Sequence, residues 1–268
     1  MRPTDFLARA PQHSTTGDLL TAAAQRRGLS SKRLPANGDV RHLKGVSGAH
    51  YFGGPLFAKK VVQDLDVALL EPTDDWLTTL PHHFTLRAIT VTTLAEARCL
   101  DGPAFVKPPS DKSFPAGVYA DGGQIPGTDH LSPNTPVQIS AIVSWLREFR
   151  LFILDGECRT GSQYATLGHL DAAPLQGHPD EREVRDFAKD LLTAEGHTLP
   201  SAAVLDVGLM TTSAGKRHWA VVEANMPWFA SCYAADPDLA LDVVLRAAGP
   251  RARLAAQDQR FCRHLSGT

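Results

Sequence analysis

Three oxygen-bearing side chains carry the strongest chemical signal in this sequence. They are Asp206 in Val204-Leu205-Asp206-Val207, and Glu223 and Asn225 at the end of Trp219-Ala220-Val221-Val222-Glu223-Ala224-Asn225. Strand side chains alternate between faces, so Glu223 and Asn225 point the same way. A loop with Ser213, Ala214 and Gly215 separates the two segments, and folding a hairpin about residue 214 sets Asp206 opposite Val222 or Glu223. Two carboxylates facing each other across a sheet repel. Burying them costs more still unless a cation lies between them. A hard cation such as Mg²⁺ takes oxygen ligands, so Asp206, Glu223 and Asn225 together read as a metal site. Taken singly, Glu223 fits a water-facing edge and Asn225 the start of a turn.

Two further segments place charge at strand positions. Phe105-Val106-Lys107-Pro108 ends an apolar strand on a lysine, and Pro109-Ser110-Asp111-Lys112-Ser113-Phe114-Pro115-Ala116-Gly117 follows as a loop. A lysine there either extends into solvent or sets a point charge on a phosphate, with loop N–H groups, hydroxyls and Lys112 covering other phosphate oxygens. In Glu148-Phe149-Arg150-Leu151-Phe152-Ile153-Leu154, Glu148 and Arg150 share one face while Phe149, Leu151 and Ile153 share the other. That pair either joins as a surface ion pair of little consequence or aims Arg150 at a developing phosphoryl charge. The sequence contains no HExxH, no zinc spacing of Cys and His, no GxSxG, no GxxxxGK[ST] and no GxGxxG, which sets aside zinc proteases, serine hydrolases, P-loop proteins and dinucleotide-binding Rossmann domains.

The elements that must hold these residues follow from periodicity and punctuation. Residues 1–14 are polar and read as loosely ordered. A helix is expected at Thr16–Arg27, stopped by Gly28, and then a long loop over 28–48. Pro55–Asp64 reads as a helix, Val67–Leu70 as a buried strand, Thr73–Leu80 as a short helix ended by Pro81, and Thr93–Glu96 as a capping box. Strand signals dominate from Pro103 to Thr166: Ala104–Lys107, Val118–Ala120, Val137–Val143, and the pair Glu148–Leu154 and Glu157–Tyr164 about Asp155-Gly156, a strong hairpin turn signal. A polar helix at Asp180–Glu195, strands Ala203–Met210 and His218–Asn225, and helices Pro237–Ala247 and Arg251–His264 complete the chain. Helices mixed with mostly antiparallel strand pairs indicate an α+β fold.

Composition narrows the function classes. The chain has 268 residues, with 27 Lys and Arg against 29 Asp and Glu, a net charge of −2. That balance speaks against a nucleic-acid-coating protein and against a polybasic membrane tether. No apolar run reaches the ~18 residues of a membrane helix, and the start carries no secretory h-region. Cys99, Cys158, Cys232 and Cys262 are far apart, so a reducing cytoplasm is the simplest expected location.

In this order and spacing the segments resemble the ATP-grasp superfamily, and within it a compact clade of mostly uncharacterised bacterial and phage proteins. The resemblance spans about residues 46–245. It rests on Pro103–Tyr119, Trp145–Tyr164 and Val204–Tyr233, with Tyr51-Phe52-Gly53-Gly54-Pro55 and Leu69-Leu70-Glu71-Pro72 similar to the clade's front domain. It implies a front α/β domain over 1–100 and an ATP-grasp domain over 101–268, with a lid-bearing lobe at about 101–143 and a catalytic lobe at about 144–268 holding ATP between them.

The resemblance also implies an activity: ligation of a small-molecule carboxylate, of an amino acid or peptide, to an amine through an acyl phosphate, with release of ADP and phosphate. The alternatives are a small-molecule kinase on the same scaffold and a non-catalytic ATP-binding module. Lys107 and Lys112 would grip phosphates; Ser140, Ile142 and Glu148 would also belong to the nucleotide site. Asp206, Glu223 and Asn225 would hold Mg²⁺, and Arg150, with Lys112, would stabilise the transferring phosphoryl group. Trp228, Phe229 and Tyr233 would either wall the substrate pocket or pack the core. Two departures from the family pattern stand out: residues 108–117 hold a single glycine, Gly117, and Ile142-Val143-Ser144 lacks an acidic residue for the ribose. The oligomeric state is not legible in the sequence.

Overall fold

The computed structural model describes residues 5–109, 113–125, 131–211 and 215–263. The front of the chain runs β1 (Phe6–Arg9), α1 (Thr15–Arg26), β2 (Ser30–Arg33), β3 (Ala49–Phe52), α2 (Pro55–Val61) and β4 (Val67–Leu69). The first three strands form a parallel sheet in the order β2-β1-β3. Ser14 caps α1 by accepting the Gly17 N–H at 3.0 Å, and Leu20, Ala23 and Ala24 supply its buried stripe.

Two expectations fail here. Residues 1–14 contain β1, whose Phe6, Leu7 and Ala8 lie in the core, and the expected loop 28–48 contains β2. Four residues are too few to show a period of two, and β2 is a polar edge strand, Ser-Ser-Lys-Arg, with one buried neighbour only. Both strands are fixed by parallel pairing to residues well separated in sequence, not by their own pattern.

The middle of the chain runs α3 (Trp76–Thr79), α4 (His82–Thr85), β5 (Ile89–Thr93), α5 (Leu94–Ala97), β6 (Ala104–Lys107), β7 (Gly117–Tyr119) and β8 (Pro136–Ser140). Its four-stranded sheet has the order β5-β8-β6-β7, all antiparallel. The Thr93–Glu96 capping box is formed in both directions. The strand expected over Val137–Val143 stops at Ser140.

The rest runs β9 (Trp145–Leu154), β10 (Glu157–Thr166), β11 (His169–Pro174), α6 (Glu181–Glu195), β12 (Ala202–Thr211), β13 (Arg217–Asn225), α7 (Pro237–Ala247) and β14 (Ala248–Pro250). The strands β11-β10-β9-β12-β13 form one antiparallel sheet. Asp155 and Gly156 join β9 to β10 with φ of 50° and 78°, the doubly left-handed turn that their types favour. One face of this sheet packs on α6 through Val184, Ala188 and Leu191. Phe152, Ala202 and Val204 from its other face join the front-sheet core together with α7.

The helix expected at Arg251–His264 is absent. β14 instead pairs with β4, and two 3₁₀ turns, Arg251–Arg253 and Ala256–Phe261, follow. Asp258, buried, accepts the Ser201 N–H at 2.8 Å and hydroxyl at 2.6 Å. Such tertiary contacts override a helical propensity worth tenths of a kcal/mol per residue (~0.7 at most for ordinary residues). His264 lies outside the described residues. Among them, no helix is long and apolar enough to cross a membrane.

Candidate active site

Lys107 ends β6, while Arg150, Asp206 and Glu223 lie on three neighbouring strands, β9, β12 and β13. Asp206 is register partner to Arg150 on one side and to Glu223 on the other. A bulge between Asp206 and Val207 shifts the hairpin register, which puts Glu223 and not Val222 opposite Asp206.

The two carboxylates are neutralised by protein cations. Arg150 donates to Asp206 from Nε at 2.9 Å and from Nη2 at 2.6 Å, a bidentate pair. The Lys107 ammonium donates to Glu223 Oε2, and Asn225 Nδ2 donates to Glu223 Oε1 at 2.7 Å and approaches Asp206 Oδ2 at 3.4 Å. The repulsion that suggested a metal from sequence is therefore offset within the chain itself. Burial alone would raise the Glu223 carboxyl; the Lys107 charge, the Asn225 and Lys107 hydrogen bonds and Arg150 outweigh it and hold Glu223 down to about 2. Asp206 is buried completely enough that desolvation pushes it up despite Arg150.

Aromatic rings sheathe the arginine. Tyr164 and Tyr233 stack on each other with centroids 5.2 Å apart, and the Arg150 guanidinium lies 5.6 Å from one ring and 5.3 Å from the other. Tyr164 also donates to Glu148 Oε2 at 2.8 Å. Burial raises the Glu148 carboxyl; the Tyr164 hydrogen bond opposes this, and the charges of Asp206 and Glu223 add to it. Glu148 and Arg150 thus share a face, as the alternation predicts, but bind different partners and not each other.

Two cavities meet at Lys107 and Glu223. One, of about 440 Å³, is lined by Gln138, Ser140, Ile142, Trp145, Glu148 and Tyr164 among others. The second, of about 470 Å³, runs along Pro108, Phe114, Arg150, Asn225, Met226 and Phe229. Lys107, Ala116 and Glu223 line both. Of the aromatics expected near this site, Phe229 lines the second cavity and Tyr233 covers Arg150, but Trp228 is core, donating to the Leu70 carbonyl at 2.8 Å. Lys112 lies outside the described residues.

Arg87 is the residue that sequence reasoning missed. It lines the first cavity, donates to the carbonyls of Val221 at 2.6 Å, Val222 at 2.9 Å and Thr85 at 3.1 Å, and packs 5.3 Å from the Trp145 ring. Burial draws it down to about 10, against the Glu223 charge. No local pattern marks it, because two of its acceptors are more than 130 residues away in sequence.

The donor set fits a hard divalent cation in part. Glu223 and Asn225 line the second cavity with oxygen-bearing groups. Asp206 has both oxygens engaged by Arg150, so it joins a metal's shell only by sharing or releasing one of them. Among the described residues no group of three His, Cys, Asp or Glu is placed to hold a metal; an Asp-Glu-Asn set falls outside that count.

Comparison with known proteins places the architecture. Residues 84–243 match the family model of the ATP-grasp domain, R2K clade family 2. No curated protein matches the chain. Among solved structures, D-cycloserine synthetase DcsG has a TM-score of 0.57 at 17% identity, over 90% of this chain and 98% of that one. D-alanine–D-alanine ligase from Bacillus anthracis complexed with ATP has a TM-score of 0.54 at 13% identity, over 91% and 97%. The ADP complex of purK, an N5-carboxyaminoimidazole ribonucleotide synthetase, gives 0.51 at 11%, over 84% and 70%. At these identities the likeness is one of fold: an α+β ATP-grasp fold.

Proposed function

This chain belongs to the ATP-grasp domains of R2K clade family 2, and from that premise we propose that it is an ATP-dependent ligase joining a carboxylate to an amine. The observation that carries the reading is the pair of cavities meeting at Lys107 and Glu223, with Arg150 facing the second. A nucleoside triphosphate laid across that junction puts its base in the first cavity, near Ser140 and Ile142 and against Trp145, and its phosphates at Lys107.

In this reading Lys107 leaves Glu223 for phosphate oxygens, exchanging one anion for another. Lys112, five residues further along the chain, is assigned to the terminal phosphates. Mg²⁺, when bound by Glu223 and Asn225 with Asp206 behind them, offsets triphosphate charge. A substrate carboxylate oxygen attacks the γ-phosphorus, the bond to the β-phosphate oxygen breaks, and ADP leaves. The amine nitrogen then attacks the acyl carbon, the carbon–oxygen bond to phosphate breaks, and the nitrogen's proton passes to phosphate or water. Arg150, held by Asp206 and the two tyrosines, stabilises the negative oxygens at the second cavity. Catalysis of this kind is positioning plus electrostatics, and Glu148, held by the Tyr164 hydrogen bond, helps to shape the first cavity.

The test is product analysis with Mg²⁺, ATP, pooled amino acids and hydroxylamine. ADP formation that requires a carboxylate, together with a hydroxamate, is expected. ADP with a phosphorylated acceptor and no hydroxamate overturns the ligase in favour of a kinase. ATP binding with no turnover on any carboxylate leaves a binding module.

A further inference from the structure

A third cavity, of about 400 Å³, opens between the front sheet and the turn after β13. It lies at the carboxyl ends of the parallel strands β1 and β3, where α/β sheets bind ligands in the crevice between successive loops. Phe229 and Ala230 line both this cavity and the one facing Arg150. A ligand here therefore lies beside the reacting centre, on the side away from the nucleotide base.

The lining divides by chemistry. Phe52, Phe57, Leu56 and Phe229 form an apolar half, with Leu56 and Phe229 exposed at 75% and 40%. The Tyr51-Phe52-Gly53-Gly54-Pro55 segment builds this wall. A Cβ on Gly54 would sit 3.3 Å from the Phe229 ring, so glycine lets the ring lie across the loop. The other half is polar, with Arg9, Gln12, His13 and Ser14. Arg9 ends β1, and Asp18 of α1 anchors it by accepting from Nη1 at 3.1 Å. Its Nε is buried with no hydrogen-bond partner among the described residues. The Arg9 side chain, held by Asp18 through one nitrogen and 19% exposed, lines the cavity. The guanidinium fork matches a carboxylate.

We propose that this cavity holds the amine substrate, and that this substrate is an amino acid or short peptide with a free carboxylate on Arg9 and an apolar side chain among Phe52, Phe57 and Phe229. The assignment rests on the ligase reading for its role in the reaction, but not for the binding itself. It goes beyond that reading by fixing the acceptor's charge and its apolar half. Asp18, which lies 2.7 Å from His13 Nε2 at the rim, holds Arg9 in place.

The experiment is calorimetric titration of the full chain, with Mg²⁺ and a non-hydrolysable ATP analogue present. The probes are leucine of each hand and the matching leucinamides. Leucine of at least one hand is expected to bind roughly 10- to 100-fold tighter than its amide, the range set by one charge-assisted contact. Arg9→Gln is expected to erase that preference and Arg9→Lys to restore part of it, which separates carboxylate recognition from loss of fold. Equal binding of acid and amide, binding of neither, or an unchanged preference in Arg9→Gln overturns the assignment. Acid-selective binding without hydroxamate or ADP formation supports the cavity while refuting the ligase. Hydroxamate formation without acid-selective binding does the reverse.

Discussion

The Lys107–Glu223 pair offers a quantitative test of how this site is held together. Their side chains are only 10% and 28% exposed, and Glu223 titrates at about 2 against an ordinary 4.5. That difference corresponds to roughly 3 kcal/mol favouring the charged carboxylate in the folded chain. Since the folded value lies below the unfolded one, the stabilisation is fully present above about 4.5 and is lost as pH falls through about 2. Lys107→Met leaves Glu223 facing Asp206 with its main counter-charge gone. The expected loss at pH 7 is about 3 kcal/mol, in the range for removing one partner of a buried pair. Near pH 3 the wild-type advantage has fallen to roughly half or less, so the gap between the two proteins narrows. Glu223→Gln in the same background removes the stranded charge, and the double variant is expected to recover on the order of 2 kcal/mol relative to the sum of the singles. Urea denaturation of the four proteins at pH 7 and pH 3 measures both quantities. Additive singles, or a Lys107→Met deficit that does not shrink on acidification, would refute the argument that this pair balances the site.

Two other substitutions probe the surroundings. Asp206→Asn strands the Arg150 guanidinium against the stacked tyrosines and is expected to cost about 3–5 kcal/mol in chemical denaturation, with Arg150→Met in the same background recovering part of the loss. Gly208→Ala places a Cβ 2.3 Å from Cε3 of Trp145; a loss of about 1–3 kcal/mol is expected in thermal melts, along with weaker ATP binding in a fluorescence titration, because Trp145 and its neighbour Arg87 line the nucleotide-sized cavity.

What could be read ahead of the structure was whatever residues state locally. Asp155-Gly156 names its own turn, Thr93 and Glu96 name their own cap, and Phe105-Val106 followed by Lys107 and Pro108 names a strand with a charged end. Folding the hairpin about residue 214 set Asp206 opposite Val222 or Glu223, and the bulge that selects Glu223 is not a sequence feature. The illegible parts depend on distant partners. β1, β2 and β3 are four residues each and acquire meaning only as a parallel sheet. The segment after Arg251 has helical composition but spends Asp258 on Ser201 and Phe261 on the front core. Arg87 is placed by carbonyls of a strand that the chain reaches much later.

The facing carboxylates that point to a metal in the sequence are already balanced by protein cations. Asp206 and Glu223 do need cations, but Arg150 and Lys107 supply them. The two pairs are not equivalent. Arg150 grips Asp206 with two nitrogens, at side-chain exposures of 12% and 1%, and a stack of two tyrosine rings lies against it. Lys107 holds Glu223 through one nitrogen, and Glu223 lines both cavities that meet there. A polyphosphate entering that junction competes with Glu223 for the lysine, and whatever it wins frees a carboxylate oxygen beside it. In the proposed enzyme the same exchange that fastens the nucleotide exposes the ligand that a divalent cation needs. The Arg150–Asp206 pair, which has no comparable exit, stays in place to hold the arginine against the second cavity.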